Sequence, residues 1–225
     1  MLELRSVSKE FINNRNEHVK AIDDISLKVE KGEFVSFVGP SGSGKSTLLF
    51  VTGALLRPSQ GEVLLHGENI YDTAAVYRSE LRLRNIGFVF QTFNLIPYLS
   101  ALDNVAVPAM LMTRSKRDAA DKAADLLKRF GLAKRLDHKF SELSVGERQR
   151  VALCRSVIND PEMILADEPT GNLDPGMTNE VMALLRELNS RGQTIIVVTH
   201  EEEVASFAGR TLHLKDGRLQ NGSPH

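Results

Sequence analysis

Residues Gly39-Pro40-Ser41-Gly42-Ser43-Gly44-Lys45-Ser46-Thr47 narrow the possible folds of this chain more than any other stretch. A glycine, four residues and then Gly-Lys-Ser is the spacing of a phosphate-binding loop. Its flanks agree. The apolar run Phe34-Val35-Ser36-Phe37-Val38 before it reads as a buried strand, and Ser46 to Leu55 after it reads as a helix. A glycine-rich turn in that setting aims successive backbone N–H groups into one concavity, at the positive end of the helix. Lys45 then reaches the β- and γ-phosphates, and the Ser46 hydroxyl is placed to ligate Mg²⁺. A chance match in a flexible loop would lack both strand and helix. The stretch predicts a nucleoside triphosphate as ligand.

At 225 residues the chain fits one domain, with room for an embedded subdomain and a substantial core. Its 28 basic and 29 acidic side chains nearly cancel, so no bulk charge draws it to nucleic acid. No apolar stretch approaches the roughly 20 residues that cross a bilayer, and no direct span is expected. Met1-Leu2-Glu3-Leu4-Arg5 alternates like a strand and lacks the apolar core of a signal peptide. The single cysteine, Cys154, has no internal partner, which suits a reducing cytoplasm. Its apolar helical surroundings mark it as a small buried residue.

The order of elements points to an α/β fold. Leu2 to Val7 and Ile25 to Val29 alternate with period two, Lys31-Gly32 turns the chain, and Gly61 to Leu65 is a further strand. Ile86 to Phe90 is a buried strand ending at Gln91. The pattern then becomes helical: Ala119, Ala123, Leu126, Leu127 and Phe130 recur at helical spacing, and Gly131 stops the helix. Strands return at Met163 to Ala166 and Thr194 to Val198, with a helix from about Pro175 to Asn189 between them, and Asp216-Gly217 closes a final hairpin. The expected organisation is one domain, 1–225: an α/β core with a β subdomain from 1–91 and 159–225, interrupted by a helical subdomain at 92–158.

Two further segments carry chemistry. Met163-Ile164-Leu165-Ala166 ends in Asp167 and Glu168, and ligands of open α/β sheets collect at such strand ends. Asp167 is placed to hold Mg²⁺, and Glu168 to polarise an attacking water. The alternative is a strand ending in solvated acids. Leu143-Ser144-Val145-Gly146-Glu147 opens a helix, with Ser144 and Glu147 at the spacing of a capping box. Gly146 in the first turn works against helix propensity; its missing side chain leaves the helix N-terminus open, where an anion is favoured.

A phosphate loop, a Leu-Ser-x-Gly-Glu helix start about twenty residues before an acidic strand, and His200 after the next strand together resemble the ATP-binding subunit of ABC transporters. The resemblance spans essentially the whole chain. Ala166-Asp167-Glu168-Pro169-Thr170-Gly171-Asn172-Leu173-Asp174 and Phe90-Gln91-Thr92-Phe93-Asn94-Leu95-Ile96-Pro97 are similar to the branch of lipoprotein release, macrolide export and the cell-division ABC complex. It implies a phosphate-loop (RecA-like) nucleotide-binding core, an antiparallel β subdomain and an inserted helical subdomain.

The resemblance also implies roles. Lys45, Glu168 and His200 would be catalytic; Gly39 to Thr47 and Gln91 would hold ATP, with Phe11 and Val19 against the adenine; Ser46, Gln91 and Asp167 would hold Mg²⁺. Ser144, Gly146, Glu147 and Asp174 would act on the nucleotide of a second copy. Val145 and Glu147 stand where glycine and glutamine are commonest, and Phe11 where a tyrosine is usual. The partners implied are a homodimer mate and a membrane permease, and the location is the cytoplasmic face of the bacterial inner membrane. Alone, Gln91 reads as a polar strand end, and His200 as part of a helix capped by Thr199 with Glu202. The loop Phe93 to Leu99 is either core packing or a docking surface. Rival readings are a regulator of a membrane complex that moves no cargo and a soluble ATPase acting on DNA or ribosomes. A small-molecule kinase is a further rival, but it leaves Leu143 to Glu147 without a role.

Overall fold

The computed structural model describes residues 1–12 and 16–220. The chain begins with β1 (Leu2–Ile12), β2 (His18–Val29), β3 (Phe34–Val38), α1 (Lys45–Thr52), β4 (Gln60–Leu65) and β5 (Glu68–Asn69). It continues with α2 (Ala75–Asn85), β6 (Ile86–Phe90), α3 (Ala101–Thr113), α4 (Lys116–Arg129), a 3-10 turn at Phe140–Glu142 and α5 (Val145–Val157). The remainder is β7 (Met163–Asp167), α6 (Pro175–Ser190), β8 (Thr194–Thr199), α7 (Glu202–Ala205), β9 (Arg210–Lys215) and β10 (Arg218–Leu219).

Continuous apolar runs make the parallel sheet. Every residue of β3 and β8 is buried, as required of strands covered on both faces. The order is β10-β9-β3-β8-β7-β6, parallel except for the β9–β10 hairpin. Backbone pairing aligns the carboxyl ends: Val38 opposite Thr199, Val198 opposite Asp167, and Asp167 opposite Phe90. The phosphate loop, Glu168, His200 and Gln91 each follow one of those ends.

The second sheet is antiparallel, ordered β2-β1-β4-β5. Its first two strands run further than period-two alternation predicts, out to Ile12 and back to His18. Register shifts at three places along β1 interrupt the alternation, and Ser6 and Asp24 take positive φ there. Two elements, β5 and α2, are not predicted from the sequence; α2 has no fully buried residue, and Leu81 packs only partly buried against the core.

The stretch between β6 and β7 carries α3, α4 and α5. Their inward faces, among them Val105, Leu127 and Leu153, share a buried cluster with Val89, Ile164 and Val197 of the parallel sheet. Ser115 caps α4, and Gly131 follows it at positive φ, as the sequence predicts for that stop. The loop after Gln91 divides between its two readings. Phe93 and Leu95 are buried in this cluster, whereas Tyr98 is 76% exposed. Buried Asn104 holds the loop by accepting from Ile96 N–H (2.7 Å) and donating to Ile96 O and Ser100 O (3.1 and 3.0 Å).

Candidate active site

The phosphate loop leaves β3 at Val38 and enters α1 at Lys45. Gly44 caps α1 with φ +100°, a left-handed conformation, and a Cβ there would lie 2.1 Å from Ala21 O. Only glycine meets both demands. Lys45 is buried and curls back, Nζ donating to Gly39 O (2.7 Å) and Pro40 O (3.0 Å). The Ser43 hydroxyl is buried inside the loop with no partner among the described residues. A buried hydroxyl without a partner is costly, and an anion seated in the loop would supply one.

Ser46 Oγ donates to Asp167 Oδ1 at 2.8 Å, joining the start of α1 to the end of β7. Burial raises the Asp167 carboxyl above its ordinary value; the Ser46 hydrogen bond and Lys45 oppose the rise, and the charge of Glu168 adds to it. A hydroxyl and a desolvated carboxylate side by side fit a hard divalent cation, which would offset the burial of that charge. Glu168 takes φ +46°, which turns its carboxylate to accept from His200 Nδ1 at 2.6 Å. The alternative, a helix capped by Thr199 with Glu202, is not formed: Thr199 Oγ1 accepts from Glu201 N–H, and α7 starts at Glu202. Gln91 reaches the same place, since a Cβ on Gly171 would lie 3.1 Å from its Nε2 and 3.6 Å from Glu168 Oε2.

Phe11 and Val19 sit opposite each other in the β1–β2 pairing, 42% and 48% exposed. Val19 precedes Ala21 by two residues on β2, a rise of about 6.6 Å, and the Ala21 carbonyl lies against Gly44. An exposed ring and a branched side chain therefore stand beside the phosphate loop, an apolar platform for a planar base.

The start of α5 shows one departure from the sequence reading. Ser144 caps the helix, accepting from Glu147 N–H, and Glu147 Oε2 accepts from Ser144 N–H in return. Glu147 Oε1 accepts from Arg135 Nε at 2.7 Å, and that bond holds its carboxyl below the ordinary value. Glu147 is thus engaged as a cap within its own chain. Gly146 does not simply leave the helix end open. Met177 of the same chain fills the space, its Sδ 2.6 Å from where a Cβ would be. Asp174 caps α6, accepting from Met177 N–H at 3.0 Å.

Three polar side chains that tie the site together were not singled out from the sequence. Gln149, buried in α5, donates to Pro169 O at 2.6 Å, just beyond Glu168. Asn172 Nδ2 donates to Gln91 O at 2.9 Å. Arg155 near the end of α5 donates to Phe93 O and Asn94 O, and burial lowers its pKa. Each contact joins residues 20 to 81 positions apart, beyond any local pattern.

Residues 22–171 match the family model for "ABC transporter". The chain belongs to the ABC transporter family. It is an ABC ATPase cassette. It is 43% identical over 226 residues to the lipoprotein-releasing system ATP-binding protein LolD of Shewanella sp. (strain MR-7), covering all of this chain and 97% of that one. With LolD of Aquifex aeolicus (strain VF5) it shares 49% over 195 residues, 87% of each chain. It is also 43% identical to the macrolide export ATP-binding/permease protein MacB of Hyphomonas neptunium (strain ATCC 15444), over 99% of this chain. The cassette spans only 34% of that relative's length. Among solved structures it resembles the dimeric post-hydrolysis state of the ATP-binding cassette MJ0796 bound to ADP and Pi. That match has a TM-score of 0.92 and 41% identity, over 98% of this chain and 97% of that one.

A carboxyl whose folded pKa lies above its unfolded value costs stability as pH rises through that interval, and the full cost remains above it. At neutral pH ionised Asp167 therefore destabilises the nucleotide-free cassette. Asp167→Asn keeps an oxygen for Ser46 and removes the charge. It should melt above the parent at neutral pH without nucleotide, the gap closing as pH falls below the carboxylate range. Thermal melting across a pH series checks this; a lower melting point at neutral pH would contradict it.

Proposed function

We propose that this cassette dimerises around two ATP molecules, hydrolyses them with Mg²⁺, and drives a separate membrane permease from the cytoplasmic face of the bacterial inner membrane. The observation that carries the reading is the convergence of Lys45, Ser46, Asp167, Glu168 and His200 at one edge of one sheet. Lys45 exchanges its loop carbonyls for phosphate oxygens, and the loop N–H groups of Gly39 to Thr47 hold the phosphate chain. Phe11 and Val19 receive the adenine. Ser46, Asp167 and Gln91 hold Mg²⁺, which supplies charge neutralisation at the transferring phosphoryl group. Glu168 accepts the proton of the attacking water, and His200 fixes the carboxylate and faces the γ-phosphate. Gln91 leads into the helical subdomain, residues 92–158: Asn172 from the loop after β7 holds its carbonyl, and Arg155 of α5 holds Phe93 O and Asn94 O just after it.

Glu168→Gln keeps the shape but cannot take the proton, so turnover should fall by about 10²–10⁴-fold with ATP affinity retained. Phosphate release and nucleotide binding measured on one preparation check this, and parental turnover would remove Glu168 from the mechanism.

The site is shared between two copies. In a two-fold dimer each subunit offers the same patch, so Ser144 and Gly146 of one face the phosphate held by the other, with Asp174 beside them. The dimeric neighbour supports this arrangement. A Lys45→Ala subunit mixed with a Ser144→Arg subunit concentrates both lesions in one site and leaves the other whole. Activity should reappear on mixing. Its absence in a demonstrated heterodimer would contradict sharing.

Among the described residues, no helix is long and apolar enough to cross a membrane. The surface best suited to a permease is a groove of about 720 Å³ between α2, β6 and α3, which touches Phe90 and Asn94 on either side of Gln91. Val76 and Leu111 line it, 80% and 66% exposed; Arg114 stands among them, and Arg84 pairs with Glu80 of the same lining at 3.0 Å. A short cytoplasmic permease segment with apolar anchors and a carboxylate fits that chemistry. Val76→Asp with Leu111→Asp should leave ATP affinity unchanged and abolish pelleting with permease-containing vesicles. Undiminished pelleting would place the seat elsewhere. The names of the relatives support export of a lipoprotein, lipid or other hydrophobic cargo. The alternative, a regulator of a complex without transport as in the cell-division branch, predicts no cargo flux in reconstituted vesicles.

A further inference from the structure

We propose that Met177 is a positioning residue that locks the two segments one subunit presents to its partner, the start of α5 and the start of α6, into one unit. This rests on the shared-site reading above. Two groups of Met177 are committed at once. Its N–H donates to Asp174 Oδ1 at 3.0 Å, which fixes the cap of α6. Its thioether lies over Gly146, where a Cβ would come within 2.6 Å of Sδ, 3.4 Å of Cγ and 3.5 Å of Cε. One turn further along both helices, Arg150 Nη1 meets Glu180 Oε2 at 3.4 Å, a second tie in the same direction. A cleft of about 170 Å³ remains between the helix starts, bounded by Ser144, Gly146, Met177 and Val181.

The two helices reach this junction from different parts of the chain. α5 belongs to the stretch inserted between β6 and β7, and α6 follows the acidic strand. Without a contact at their N-terminal ends, Asp174 and Gly146 would have to be ordered separately as a dimer closed. Met177 orders them in advance, and ordering before association strengthens binding by lowering its entropic cost. An unbranched thioether suits the task because it packs closely on a glycine and still adjusts when the helices shift. It follows that Gly146 is glycine in this chain to seat Met177, in addition to any approach by the partner's phosphate.

The test uses the full chain carrying Glu168→Gln, with ATP-driven dimer formation followed by light scattering and ATP affinity measured below the dimerising concentration. Met177→Ala should leave that affinity within about twofold and raise the ATP needed for half-dimerisation roughly tenfold, equivalent to about 1.4 kcal/mol. Met177→Leu, which keeps the volume, should restore the parental midpoint. Parental dimerisation by Met177→Ala, or failure of Met177→Leu to restore the midpoint, overturns the role. If the Glu168→Gln chain does not dimerise with ATP at all, the shared site falls and this role with it.

Discussion

The parallel backbone ladder joining β3, β8, β7 and β6 sets the position of every reactive side chain in this cassette. Val38, Thr199, Val198, Asp167 and Phe90 form one line of paired residues across the sheet. The phosphate loop, His200, Glu168 and Gln91 sit immediately beyond that line. A strand advances about 3.3 Å per residue, so slipping β3, β7 or β8 by a single place would break the Ser46–Asp167 or His200–Glu168 contact. The slip is resisted because these strands are buried on both faces, where ladder hydrogen bonds cannot be exchanged for water.

Given that line, the site holds groups in states that the core alone would not favour. Asp167 keeps a carboxylate in a desolvated place, the Ser43 hydroxyl is buried without a partner, and Glu168 adopts a positive φ. The first two are unfavourable in the nucleotide-free chain and would be relieved by a ligand that brings a cation and phosphate oxygens; the third is held by the surrounding fold. The surrounding structure tolerates this because its core is extensive, with the α3–α5 helices and the sheet sharing one buried cluster. Binding energy and local strain thus act at the same few atoms.

Polar side chains then connect the sheet edge to the inserted helices. Arg155 and Asn172 hold the backbone on either side of the Gln91 turn, and Gln149 holds the chain just beyond Glu168. Arg155 and Gln149 project from α5, the helix that begins at Ser144. A displacement at Gln91 or Glu168 therefore bears on one rigid rod whose other end faces the proposed partner subunit. The groove beside α2 lies against the same turn, so the proposed nucleotide, partner and permease surfaces surround a single segment.

The amino-acid sequence by itself determined the features carried by neighbours in the chain. The phosphate loop, the apolar strand ending in Asp167-Glu168, the Ser144 cap and the stop at Gly131 depend on spacing over a few residues, where local geometry decides. The paired platform Phe11 and Val19 came from family resemblance, and its stretch of β1 and β2 was unread because register shifts break the alternation. Helix α2 was missed because none of its residues is fully buried. Tertiary structure alone decided which of Phe93, Leu95 and Tyr98 face the core, that Glu147 is held by Arg135, and that Gly146 faces Met177. Those outcomes depend on contacts between segments distant in the chain. Such contacts exist only once the whole sheet is paired and the helices have been packed against it.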